Sequence, residues 1–266
     1  MHPPSLRGFR PELRGRNSVV WGLLLVAAAG AWVVTVRTAA DMGSGPGAMG
    51  LELATFMTLW VVMMAAMMLP SVAPLASVYL HGVWMRSAGW ERFFRVGTLV
   101  LGYLAVWAAF GLIAFACMSG AGWLAAQYPG STPWVGAGAL TIAGVYQLTP
   151  LKDYCLKHCR SPIGFLLHFG SFSGQLRDLR VGVFHGAFCL GCCWGLMILL
   201  ITVGVMNLGW MAALAAIIFL EKTWRYGRAL GIAFGAALIV LAMFIPTHPS
   251  LVPGVHPGAG MADMAP

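Results

Sequence analysis

Charge is what this sequence lacks. Lysine and arginine number 16 and aspartate and glutamate 8 in 266 residues, so charged side chains make up only 9%. A soluble domain carries roughly 25%. With 59% hydrophobic residues, the composition excludes an ordinary soluble fold and predicts an all-α, polytopic transmembrane helix bundle. Other absences narrow the chemistry. No phosphate-cradling glycine loop opens a helix, and neither Gly-x-Ser-x-Gly nor His-Glu-x-x-His occurs. Haem c attachment is excluded because Cys189-x-x-Cys192 is followed by Cys193 instead of histidine. A secreted disulfide framework is absent too, since five of the six cysteines crowd into two short stretches. No internal repeat stands out.

The apolar runs give seven expected spans, at about 18–36, 53–69, 96–118, 134–148, 181–205, 208–220 and 229–245. Val19–Val36 is longer than a signal-peptide core and reads as a retained first helix. The second span is expected to continue past Pro70 and Pro74 to Leu80 as a kinked helix. Three regions follow: a basic arm (1–17), the helical domain (18–245) and a Pro/Gly-rich tail (246–266), for which composition predicts no ordered structure. The tail carries His248, His256, Met261 and Met264 as candidates for capturing copper outside the membrane.

The few basic residues orient the chain. The arm, the 2–3 loop, the 4–5 segment and the 6–7 loop hold every lysine and arginine except Arg37. All four share one side of a seven-span topology, which puts the N-terminus in the cytoplasm and the C-terminus outside. The net charge of +8 therefore reflects topology and does not call for a nucleic-acid partner. The expected location is a bacterial inner membrane, with the lipid bilayer as partner.

Against this background the thiols stand out. His185, Cys189 and Cys192 lie at i, i+4 and i+7, and Cys193 is i+4 from Cys189, so one helix face offers three or four ligands. Gly182, Gly186, Gly191 and Gly195 let a second helix come close. At about 1.5 Å per residue Cys192 lies roughly 16 Å in, near the midplane of a ~30 Å hydrocarbon core. Polar groups at that depth usually face a bundle interior and mark function. A second cluster, Cys155, His158 and Cys159 at i, i+3 and i+4, precedes this span on the cytoplasmic side. There thiols stay reduced, and Lys157 and Arg160 favour thiolate. Span 2 adds thioethers. Met57, Met64 and Met68 form one stripe, flanked by Met63 and Met67. Met206 and Met211 extend the set. Thiolate, imidazole and thioether together suit Cu(I), with zinc and iron as alternatives. Methionine also fills gaps between helices, and buried cysteine also serves as a small hydrophobe. Glu221 beside Lys222 reads as an interfacial ion pair, and no charged relay through the spans is expected.

Several blocks occur in a fixed order: Trp60-x-x-Met63-Met64-x-x-Met67-Met68-x-Pro70, Tyr146-Gln147-Leu148-Thr149-Pro150-Leu151-Lys152, His158-Cys159-Arg160-Ser161-Pro162, His185-Gly186-x-x-Cys189-x-Gly191-Cys192-Cys193-Trp194, Gly204-Val205-Met206-Asn207-Leu208-x-Trp210-Met211, and Glu221-Lys222. This set resembles the bacterial family of predicted metal-binding integral membrane proteins known as domain of unknown function 2182, over about Leu53 to Ile245. The resemblance implies metal binding and a multi-helix membrane fold, and names neither the metal nor an activity.

The sequence thus favours handling of a soft transition metal, foremost Cu(I). The metal would sit on His185, Cys189, Cys192 and Cys193, with Met64, Met67 and Met68 as partners. Cys155, His158 and Cys159 would exchange it on the cytoplasmic side. A metal-receiving partner protein fits this reading. Two rivals use the same residues: a membrane metalloenzyme, and a thiol oxidoreductase acting through Cys189 and Cys192. One contact is expected: Met64 or Met68 beside Cys189 or Cys192.

Overall fold

The computed structural model describes residues 9–42, 52–84, 90–169, 176–203 and 207–248. Among the described residues there are nine α-helices and no strand. They are α1 (Phe9–Met42), α2 (Leu53–Trp84), α3 (Glu91–Gln127), α4 (Thr132–Gln147), α5 (Pro150–Arg160), α6 (Pro162–Phe169), α7 (Arg177–Val203), α8 (Leu208–Thr223) and α9 (Gly227–Phe244).

Side-chain pairs fix the directions. Arg95 meets Asp178, Leu99 meets Gly182 and Tyr103 meets Gly186. The numbers climb together, so α3 and α7 are parallel. Tyr146 meets Gly191, and its ring lies against Gly195 while Ala143 also borders that glycine. Hence α4 runs against α7. Trp60 reaches the Trp107 carbonyl and Ser71 reaches Tyr103, so α2 runs against α3.

Packing is closest between α3 and α7, and glycine is the cause. A Cβ on Gly182 would lie 1.9 Å from the Leu99 carbonyl oxygen, and one on Gly102 2.4 Å from that of Leu179. No larger residue fits this interface without moving a helix. Beyond it, Asp178 ties three helices together. Arg95 donates to both its oxygens, Nε at 3.0 Å and Nη2 at 3.1 Å, and the Tyr79 hydroxyl bonds to it as well.

Among the described residues, five helical stretches are long and apolar enough to cross a membrane: Val19–Ala40, Leu53–Leu80, Glu91–Leu124, Arg177–Val203 and Gly227–Phe244. The expected spans 4 and 6 become α4 and α8, each only 16 residues long. Other boundaries also move. The helix α1 starts at Phe9 and takes in part of the basic arm. Pro70 and Pro74 sit inside an unbroken α2 that reaches Trp84. Most of the uncharged stretch after Ser119 is the end of α3. The 150–180 segment is no loop: α5 and α6 fill its first part. The glycine-rich stretch 43–50, Met206 and the tail residues His256, Met261 and Met264 lie outside the described residues.

Candidate metal centre

The short α5 decides the site. Thr149 caps it by accepting from the Lys152 amide at 3.3 Å, and Pro150 occupies its first turn. Chain direction changes there, and α5 comes to lie along α7. Gly191 makes the fit possible, because a Cβ at that position would stand 2.6 Å from the Cys155 sulfur. The two cysteine clusters, separate in sequence, thereby become one. Cys159 Sγ lies 3.8 Å from Cys192 Sγ, which lies 3.3 Å from Cys193 Sγ. Cys189 has Cys159, Cys192 and Cys193 as neighbours. All five of these cysteines are buried and unpaired as thiols. Burial pushes the Cys155 thiol upward. The Cys159 thiol is also raised, chiefly by its hydrogen bond to Cys189.

Polar groups approach Cys189 from two other helices, α8 and α3. Lys222 Nζ on α8 donates to its sulfur at 2.9 Å, and the Tyr103 hydroxyl on α3 lies 3.0 Å away. Lys222 also donates to Ser71 Oγ on α2 at 3.2 Å. Lys222 is 9% exposed and Cys189 not at all. A second buried lysine lies nearby. Lys152 Nζ donates to both oxygens of Glu221, at 2.7 and 2.8 Å, and to the Gln147 side chain. The expected pairing of Glu221 with its neighbour Lys222 is thus corrected. Adjacent residues on a helix point about 100° apart, so Glu221 faces α5 while Lys222 faces α7.

The remaining candidates fall in different places. His185 is buried between the rings of Tyr103 and Phe165, with centroids at 5.9 and 5.1 Å, and its Nδ1 has no partner. Buried polar atoms are rarely left so. His158 turns away from the thiols. It stacks on Phe188 at 4.4 Å, and its Nδ1 meets the Tyr154 carbonyl at 2.8 Å. Met63, Met64, Met67 and Met68 are all buried, as are Met197 and Met211, and Met57 is half-buried. One link between α2 and Cys189 runs through the Met68 backbone and Tyr103. The Met68 carbonyl is 3.4 Å from the Tyr103 hydroxyl, which touches Cys189. Exposed His248 sits at the far end of α9 beside Thr247.

Among the described residues no three His, Cys, Asp or Glu groups already surround one point as a finished metal centre does. The donors nonetheless suit a soft ion. Sulfurs held ~2.3 Å from a common tetrahedral ion stand roughly 3.8 Å apart, which is the Cys159–Cys192 separation. Sequence reasoning missed Tyr103, Ser71, Lys152 and Lys222. A signal did exist: the apolar runs of spans 4 and 6 are short, and Lys152 and Lys222 follow them within a few residues.

Fold and site define an all-helical protein with several membrane-length helices and a buried thiol cluster. Residues 57–245 match the model of the PpoB2 family, described as copper chaperones. The chain belongs to that family, and copper handling is its function in general terms. No curated protein and no solved structure matches it.

Proposed function

We propose that the protein sits in a bacterial inner membrane with seven spans, takes up Cu(I) on the joined thiol cluster and passes it to a receiving protein. The observation that carries this reading is the convergence of Cys159 with Cys189, Cys192 and Cys193 in a dry interior. Thiolates in such surroundings suit Cu(I). Copper is cargo here, so weak, adjacent stations serve better than one tight cage. His185, with its free Nδ1, is the nearest imidazole on the same face. Cys155 lies on the α5 side. The buried methionines Met64, Met67 and Met68 would supply stations along α2, and His158 would act only after leaving Phe188.

Exposed aromatics support the membrane reading. Trp123, Tyr128, Trp134 and Trp210 ring one end of the bundle, and Trp90, Trp224 and Tyr226 the other. Such belts mark the two membrane–water interfaces. Along the sides, Leu23, Val26, Leu101, Ile113, Ile142 and Val240 are exposed, as lipid-facing residues are. The ordered sequence blocks further support assignment to the predicted metal-binding integral membrane proteins.

The test is direct. Protein purified in detergent is analysed for bound metal by mass spectrometry, beside a variant with Cys159, Cys189, Cys192 and Cys193 changed to serine. Stoichiometric copper in the first and none in the second is expected. A metal-free protein that cycles a Cys189–Cys192 disulfide would overturn the reading and favour the oxidoreductase. Copper transfer to an acceptor, followed in proteoliposomes, then separates delivery from transport across the bilayer.

A further inference from the structure

We infer that Lys222 sets the cluster's preference for a monovalent soft ion over a divalent one; this rests on the copper-handling reading above. Two lysines are buried, one bound to Glu221 and the other next to Glu221 in sequence, and their partners differ. Lys152 is neutralised by both oxygens of Glu221. Lys222 has a sulfur and a hydroxyl as hydrogen-bond partners, Cys189 at 2.9 Å and Ser71 at 3.2 Å. Its ammonium is therefore the charge left over in this part of the core. Glu221 is next to it in sequence and is already engaged elsewhere.

A buried cavity of low dielectric penalises net charge. Two thiolates around Cu(I) carry one negative charge in all. Each ligand thiol gives its proton to solvent as it binds. The ammonium cancels the remaining charge, and the loaded core is neutral. A divalent ion on the same two thiolates forms a neutral complex, which leaves the ammonium unbalanced. Zinc must then recruit a third thiolate to reach neutrality. The cationic neighbour thus acts against the wrong ion and not merely for the right one. A lysine with a packing role alone would have no reason to aim its charge at a sulfur. A neutral residue there would also avoid the cost of a buried cation.

Detergent-purified full-length protein, with Lys222→Met and Lys222→Arg variants, is titrated with Cu(I), Ag(I) and Zn(II) against chelators of known affinity. Lys222→Met should lower the Cu(I)-to-Zn(II) affinity ratio by on the order of tenfold, because one unit charge is removed from the cluster's edge. Ag(I) should follow Cu(I), and Lys222→Arg should hold the wild-type ratio. Lys222→Gln, which keeps a donor for Ser71 without the charge, serves if Lys222→Met does not fold. An unchanged ratio in a folded neutral variant overturns the inference. Wild-type protein that takes up no Cu(I) at all instead overturns the reading beneath it.

Discussion

The two sides of the α8 C-terminus answer the same problem differently. Toward α5, Glu221 and Lys152 close a fully buried carboxylate–ammonium pair, with side-chain exposures of 2% and 1%. Toward α7, Lys222 meets a thiol. A buried ion pair is costly to break, because either partner alone is an uncompensated charge. It is a permanent joint between α5 and α8. A thiol can keep its own proton or trade the ammonium for a metal, so the second contact can open and close. The first side holds the helices; the second, on the proposed reading, holds the cargo.

Removing one partner of the permanent joint should have the largest effect. Lys152→Met strands Glu221 and should cost roughly 3–5 kcal/mol, read as a fall in thermal midpoint in detergent. Adding Glu221→Leu should recover most of that loss. Next comes Lys222→Met, which leaves a thiol able to stay neutral. Its expected cost is roughly 1–3 kcal/mol, the scale of one lost buried hydrogen-bond partner. If it proves as damaging as Lys152→Met, the two sides are alike and the contrast fails. Tyr103→Phe removes the hydroxyl at 3.0 Å from Cys189. It should cost about 0.5–1.5 kcal/mol and quicken copper release to a chelator, which stopped-flow absorbance would follow. The smallest change is Met64→Leu with Met68→Leu. Near-equal volume should keep each stability loss under about 1.5 kcal/mol, while copper uptake slows if the thioethers are stations. Uptake at the wild-type rate would mark them as packing.

Much of the molecule was legible from the chain. Apolar runs located α1 to α4 and α7 to α9, because long apolar stretches without charge have few other uses. The i, i+4 spacing put His185, Cys189 and Cys192 on one face, since a helix face is a local property. What escaped was everything between helices. Nothing local says that Gly191 leaves room for Cys155, or that Cys159 returns to Cys192 across 33 residues. That register comes from the α3–α7 glycine contacts and from the sharp start of α5. The same limit explains Glu221 and Lys222, whose adjacency suggested a pair that helix geometry forbids.

The brevity of α4 and α8 reaches beyond the site. Each holds 16 residues, or roughly 24 Å of helix, against a ~30 Å hydrocarbon core. Their long neighbours α2 and α3 show no such deficit. In the membrane setting proposed above, lipid beside the short pair would pinch inward, at a cost of fractions of a kcal/mol per Å of mismatch. The protein would carry its own thin patch of membrane, and short acyl chains would suit it better than long ones.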